Sequence, residues 1–148
     1  MSLSTKDQVN RVRLYETALS FLGVDASPLD EAPDEVGCAD SVSKIVIKAF
    51  PGAIKGSVST AELYKQLCAS PAFTKVSQFK FGDIIISPTG TSKTGGLANG
   101  HVGILGEGEE IMSNTSATGL WTQNYTVTSW VARYRTLGGY PIYFFRKV

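Results

Sequence analysis

The sequence predicts an α+β fold in which N-terminal helices pack on a small antiparallel β-sheet or half-barrel. Three observations carry this expectation. Apolar residues recur at helical spacing through the first half of the chain, and short runs rich in β-branched and aromatic residues fill the second half. Helices first and strands later separate the two element types instead of alternating them. No repeat, linker or low-complexity tract interrupts the 148 residues, a length that suits one domain, so 1–148 is read as a single unit.

The first helix is expected over 9–22, where Val9, Val12, Leu14, Tyr15, Ala18, Leu19 and Leu22 share a helical stripe and Gly23 is a plausible stop. Prolines and acids in 24–37 read as a surface loop. A second helix is expected to start at Cys38, with Val42, Ile45, Val46 and Ala49 at 3.6 spacing, and to end at "PG" 51–52. "STAELYKQLCAS" opens with a Ser-Thr cap signal and predicts a third helix with Leu63, Leu67 and Cys68 on its apolar side. Strands are expected in "FGDIIIS" (81–87), "HVGILG" (101–106), "EEIMSN" (109–114) and "YPIYFFRK" (140–147), with "GEGE" closing the second and third into a hairpin.

Composition excludes several function classes. Lys and Arg total 14 and Asp and Glu 13, a net charge of +1, so no basic field points to nucleic acid. The longest apolar runs are far below the ~20 residues that span a bilayer, so no membrane partner is expected. The start shows no apolar h-region, and the expectation is synthesis in a bacterial cytoplasm. Two cysteines and one histidine make no zinc spacing. The acids Asp25, Asp30, Glu31, Asp34 and Glu35 lack the dense alternation of a calcium loop. "TGTSKTGGLANG" (89–100) lacks a lysine directly after the second glycine, so it is not a P-loop. No cofactor or metal is expected.

Cys38, His101 and Asn114 could carry chemistry. A cysteine at a helix N-terminus meets free N–H groups and a partial positive charge, which favour thiolate. A buried small residue is the plainer reading of Cys38, and nearby Asp34, Glu35 and Asp40 would raise its pKa unless they point away. His101 is the sole histidine, opens a strand after a glycine-rich loop, and suits a general base. Asn114 ends the partner strand of the hairpin and could fix the His101 tautomer, with Ser113 a rival that depends on register. Trp121 is a candidate groove residue, although packing at the sheet edge competes. Asp83 reads as a turn carboxylate.

The order of helix-borne cysteine, strand-borne histidine and polar residue on the next strand resembles the NlpC/P60 and CHAP group of papain-like peptidoglycan hydrolases. "ALSFLG" resembles the end of that family's first helix, "GCADSVSKIV" its nucleophile helix, "FGDIIIS" its GD-strand, and "NGHVGILGEGEEIMSN" its histidine hairpin. The resemblance spans roughly residues 9–114, and the closing third looks like phage-borne members. The family usually shows "DCSG" at the nucleophile where this chain has "GCAD", nearer to phage and CHAP-like variants. The resemblance implies an endopeptidase or amidase acting on a stem or cross-bridge peptide of bacterial peptidoglycan, at the cell wall, within a larger phage lysin or tail assembly. Cys38 would attack, His101 would move the proton, Asn114 would orient His101, and the Cys38 N–H would help hold the oxyanion. A non-catalytic wall- or virion-binding module of the same fold, and a papain-fold acyl transferase or deamidase, are the competing readings.

Overall fold

The computed structural model describes residues 2–26, 34–94, 99–115 and 118–148. Three helices come first: α1 (Ser2–Ser20), α2 (Asp34–Ala49) and α3 (Thr60–Ala69). Strands β1 (Phe73–Val76), β2 (Ile84–Ser87), β3 (His101–Leu105), β4 (Glu110–Asn114), β5 (Trp121–Thr126) and β6 (Tyr143–Lys147) follow, with a short α4 (Val127–Trp130) and a π-helical turn (Val131–Leu137) before the last. Among the described residues the strands form one antiparallel sheet in the order β1-β6-β2-β3-β4-β5. The α+β arrangement expected from the sequence, N-terminal helices packed on an antiparallel sheet, is the one observed.

The helices cover one face of the sheet. Ala18 of α1, Cys38 and Ile45 of α2 and Leu63 of α3 join Ile84, Val102 and Met112 in one buried cluster. The chain after β5 covers the opposite face, where Trp130, Tyr134 and Tyr140 pack on Ile85, Leu105 and Ile111. Alternation along "III" therefore sends Ile84 and Ile86 to the helices and Ile85 to the aromatics. That is why β2 is buried on both faces and reads as a continuous apolar run.

Several local expectations hold and several do not. Ser59 caps α3 by accepting the Glu62 N–H at 3.3 Å. Helix α1 begins earlier and ends earlier than its apolar stripe, at Ser2 and Ser20. Strands β1 and β5 lie at the two edges of the sheet and expose polar side chains, so they carry little apolar signal. Cys68 is exposed, not on the buried side of α3, where Leu63 and Leu67 form the stripe. Asp83 is fully buried, accepts the Lys80 N–H at 2.7 Å, and receives two hydrogen bonds from Arg146 at 2.8 and 2.7 Å. It ties the start of β2 to β6, as a structural carboxylate should. Of the acidic loop, 27–33 lies outside the described residues, as do the side chains of Asp34 and Glu35.

Candidate active site

The hairpin register decides which polar residue meets His101. Ile104 pairs with Met112 and Leu105 with Ile111, and a one-turn 3₁₀ segment, Glu107–Glu109, closes the connection. Strand alternation then puts His101, Gly103 and Ser113 on one side, and Val102 and Asn114 on the other. Accordingly, His101 Nε2 lies 2.9 Å from Ser113 Oγ. Ser113 Oγ donates to Asn124 Oδ1 on β5 at 2.6 Å, and Asn124 Nδ2 donates to Thr115 Oγ1 at 3.1 Å. A hydroxyl has one proton. With that proton given to Asn124, Ser113 accepts from His101, so the ring carries its proton on Nε2 and its lone pair on Nδ1.

Aromatic rings frame the imidazole. Trp130 stacks on it with centroids 5.2 Å apart, Tyr134 at 5.9 Å, and Tyr125 stands at 5.7 Å. Trp130 is anchored by its own Nε1–H, which donates to Ser87 Oγ at 3.1 Å, and Ser87 is the ladder partner of His101. Desolvation against these rings, helped by the Arg133 guanidinium, holds the His101 imidazole well below its usual 6.5, at about 4. It is therefore neutral at pH 7 and able to accept a proton. Burial likewise pushes the Tyr134 hydroxyl up, so it stays protonated.

The other side of the hairpin meets α2. Asn114 is 6% exposed and its Nδ2 reaches so close to Gly37 that a Cβ there would sit 2.7 Å away. A side chain at 37 would therefore displace the end of Asn114 where strand β4 meets helix α2. Asn114 Oδ1 has no hydrogen-bond partner among the described residues, and neither does Ser41 Oγ, one turn beyond Cys38.

Cys38 follows Gly37 and is fully buried, in the same cluster as Val102 of β3 and Met112 of β4. The sequence expectation that it begins the helix is corrected: α2 starts at Asp34, so Cys38 is its fifth residue. Its N–H lies within the i→i−4 ladder and is not one of the free donors proposed for the oxyanion. Asp40, one of the acids expected to disturb the thiol, is held by Lys44 Nζ at 2.9 Å.

The predicted residues divide between the two faces of the hairpin: His101 and Ser113 face the aromatic side, and Cys38 and Asn114 face the helices. Asn114 touches the residue before Cys38, and its neighbour Ser113 bonds to His101. Trp121 does not join them. It is fully buried among α1 and α2 residues and donates its Nε1–H to Ala18 O at 3.1 Å, so it is a core side chain and lines no groove. Asn124, Arg133 and Tyr134 are not singled out by the sequence, whereas Trp130, like Trp121, reads there as an aromatic that either lines a groove or packs at the sheet edge. The four-residue spacing of Trp130 and Tyr134 was the available signal, because it puts two rings on one helical face.

No known protein-family model matches the chain, and no curated protein does. Among solved structures, the fold is similar to the type VI effector–immunity complex Tae3–Tai3 from Ralstonia pickettii, with a TM-score of 0.59 and 16% identity over 94% of this chain and 99% of that one. It is also similar to Ly7917, solved with the hydrolyzing product of MDP, with a TM-score of 0.55 and 16% identity over 93% of this chain and 62% of that one. The chain therefore shares its fold with a chain of a type VI effector–immunity complex, and it spans 62% of the length of a protein solved with a hydrolysis product.

Proposed function

We propose that this protein is a cysteine hydrolase of the NlpC/P60–CHAP type that cuts an amide bond in bacterial peptidoglycan. The observation that supports the reading is the His101–Ser113–Asn124 relay, which orients a neutral imidazole at the start of β3, the strand whose next residue, Val102, shares the buried cluster of Cys38; the mechanism requires Cys38 and His101 to meet around that strand end. In this mechanism the Cys38 proton passes to His101 Nδ1 as sulfur attacks the scissile carbonyl. His101 then protonates the departing amine, leaving a thioester. Water, deprotonated by the same nitrogen, releases the new carboxylate and restores the thiol. Ser113 and Asn124 take the orienting role that sequence assigned to Asn114, and Asn114 secures the approach of β4 to the nucleophile turn.

The two structural relatives support a wall-directed substrate, since one is an effector and the other was solved with a hydrolysed MDP. Action at the cell wall, within a phage lysin or tail assembly, follows from the same reading. Mass spectrometry of peptidoglycan digested with the protein tests it. New amine and carboxyl ends are expected with the native chain and absent with Cys38→Ala. Equal digestion by both would overturn the mechanism.

One observation favours a second reading, a wall-binding module without catalysis: the Cys38 side chain is fully buried. Iodoacetamide labelling separates the two. Reaction at Cys38 near neutral pH supports the enzyme, and labelling only under alkaline or unfolding conditions supports the binding module.

A further inference from the structure

We propose that Arg133 reads a free carboxylate on the substrate, close to the bond that is cut. The inference rests on the hydrolase reading above and names its substrate class: a stem peptide with an unamidated carboxyl group within a few residues of the scissile amide.

Arg133 and Tyr134 are consecutive residues of the π-helical turn, a rare conformation that is often retained at functional sites. Tyr134 is turned inward, 5% exposed, and stacks on the His101 ring. Arg133 is exposed, with Cζ 5.6 Å from the centroid of the Tyr134 ring. The two centroid distances, 5.6 and 5.9 Å, bound the separation of the guanidinium from the imidazole. At about 3.5 Å per extended residue, a carboxylate on Arg133 lies within about three residues of a bond processed at His101.

Among the described residues no carboxylate forms an ion pair with Arg133. The groups that act on it are the phenols of Tyr134 and Tyr125. Its field falls instead on His101, where a lone positive charge opposes uptake of a proton in the first chemical step. A docked carboxylate removes that opposition and gains charge-assisted hydrogen bonds from a planar fork matched to its shape. Tyr125, partly exposed beside His101, offers an aromatic wall to the adjoining peptide.

The test uses muramyl tetrapeptides prepared as free acids and with each carboxyl amidated in turn. Binding is measured by calorimetry to Cys38→Ala and to Cys38→Ala/Arg133→Gln, and hydrolysis is followed with the native chain by mass spectrometry. One amidation is expected to weaken binding to Cys38→Ala by tenfold or more. That discrimination is expected to shrink to within twofold in Cys38→Ala/Arg133→Gln, and to survive in part with Arg133→Lys. Discrimination that persists without Arg133, or free acids and amides that bind alike, overturns the proposal. Hydrolysis by the native chain alongside such a result leaves the enzyme reading standing. Selective binding without any hydrolysis does the reverse, sustaining the carboxylate site and sinking the enzyme.

Discussion

Ser113 Oγ accepts the Nε2–H of His101 at 2.9 Å and hands its own proton to Asn124 at 2.6 Å. This pair fixes both the orientation of the ring and which nitrogen is basic. Ser113→Ala removes the acceptor and lets the imidazole tautomerise. A loss of roughly 10- to 100-fold in kcat, a fraction of what a general base contributes, is expected with little change in KM. Asn124→Ala should cost less, because Ser113 can still accept. Steady-state kinetics on a purified muropeptide check both, and an unchanged kcat in Ser113→Ala would remove the relay from the mechanism.

The low basicity of His101 sets the acid limb of activity. Above pH 5 the ring is neutral and competent, and activity should fall as pH drops through about 4. The same group acts on stability. Its folded pKa lies below its unfolded value of 6.5, so the unfolded chain takes up the proton first. Its stabilising contribution is complete above pH 6.5 and is lost between 6.5 and 4, by at most about 3 kcal/mol. Urea midpoints measured across that range should fall more steeply in the native chain than in His101→Gln. Parallel slopes would contradict the assignment.

Gly37 tests the contact between β4 and α2. Alanine is the better helix former by about 1 kcal/mol, so a bare propensity argument says Gly37→Ala stabilises. The added Cβ would sit 2.7 Å from Asn114 Nδ2, and overpacking of that kind costs about 1–3 kcal/mol. Net destabilisation is expected, and it should reverse when Asn114→Ala is combined with it. A double-mutant cycle by chemical denaturation measures this coupling.

Trp121 separates core from groove. Trp121→Phe removes one of two donors to the Ala18 carbonyl, which keeps the Phe21 N–H at 3.1 Å, and opens space beside α1, for an expected loss of about 1–3 kcal/mol. Thermal unfolding should register the change, while KM of the folded fraction stays the same. A raised KM at unchanged stability would restore a groove role.

Much of the fold was legible because apolar spacing is a local property. Val42, Ile45 and Val46 lie on the buried stripe of α2, and the runs at 84–87, 101–105 and 110–114 are strands. Edge strands β1 and β5 show the converse, since "FTKV" and "WTQNYT" each bury only their first residue and leave no alternating pattern. Cys68 was misjudged because a period of 3.6 places its neighbour Leu67 on the buried stripe and leaves the next residue outside. For Trp121 the packed alternative holds, because α1 covers a ring that lies in an otherwise polar stretch.

What the sequence determined by itself was the order of the parts: helices, then strands, with Cys38 on one, His101 opening another, and a Ser-Asn pair closing the next. Periodicity and residue type are local, so they survive without a structure. Only the tertiary structure decided between Ser113 and Asn114, because a side chain's face depends on hairpin register and a slip of one residue exchanges them. It also placed Asn124, Trp130, Tyr134 and Arg133 around His101, residues 23 to 33 positions downstream of it in the sequence. Those neighbours meet because β5 returns beside β4 and the π-helical turn folds back over the sheet, pairings that no local pattern encodes.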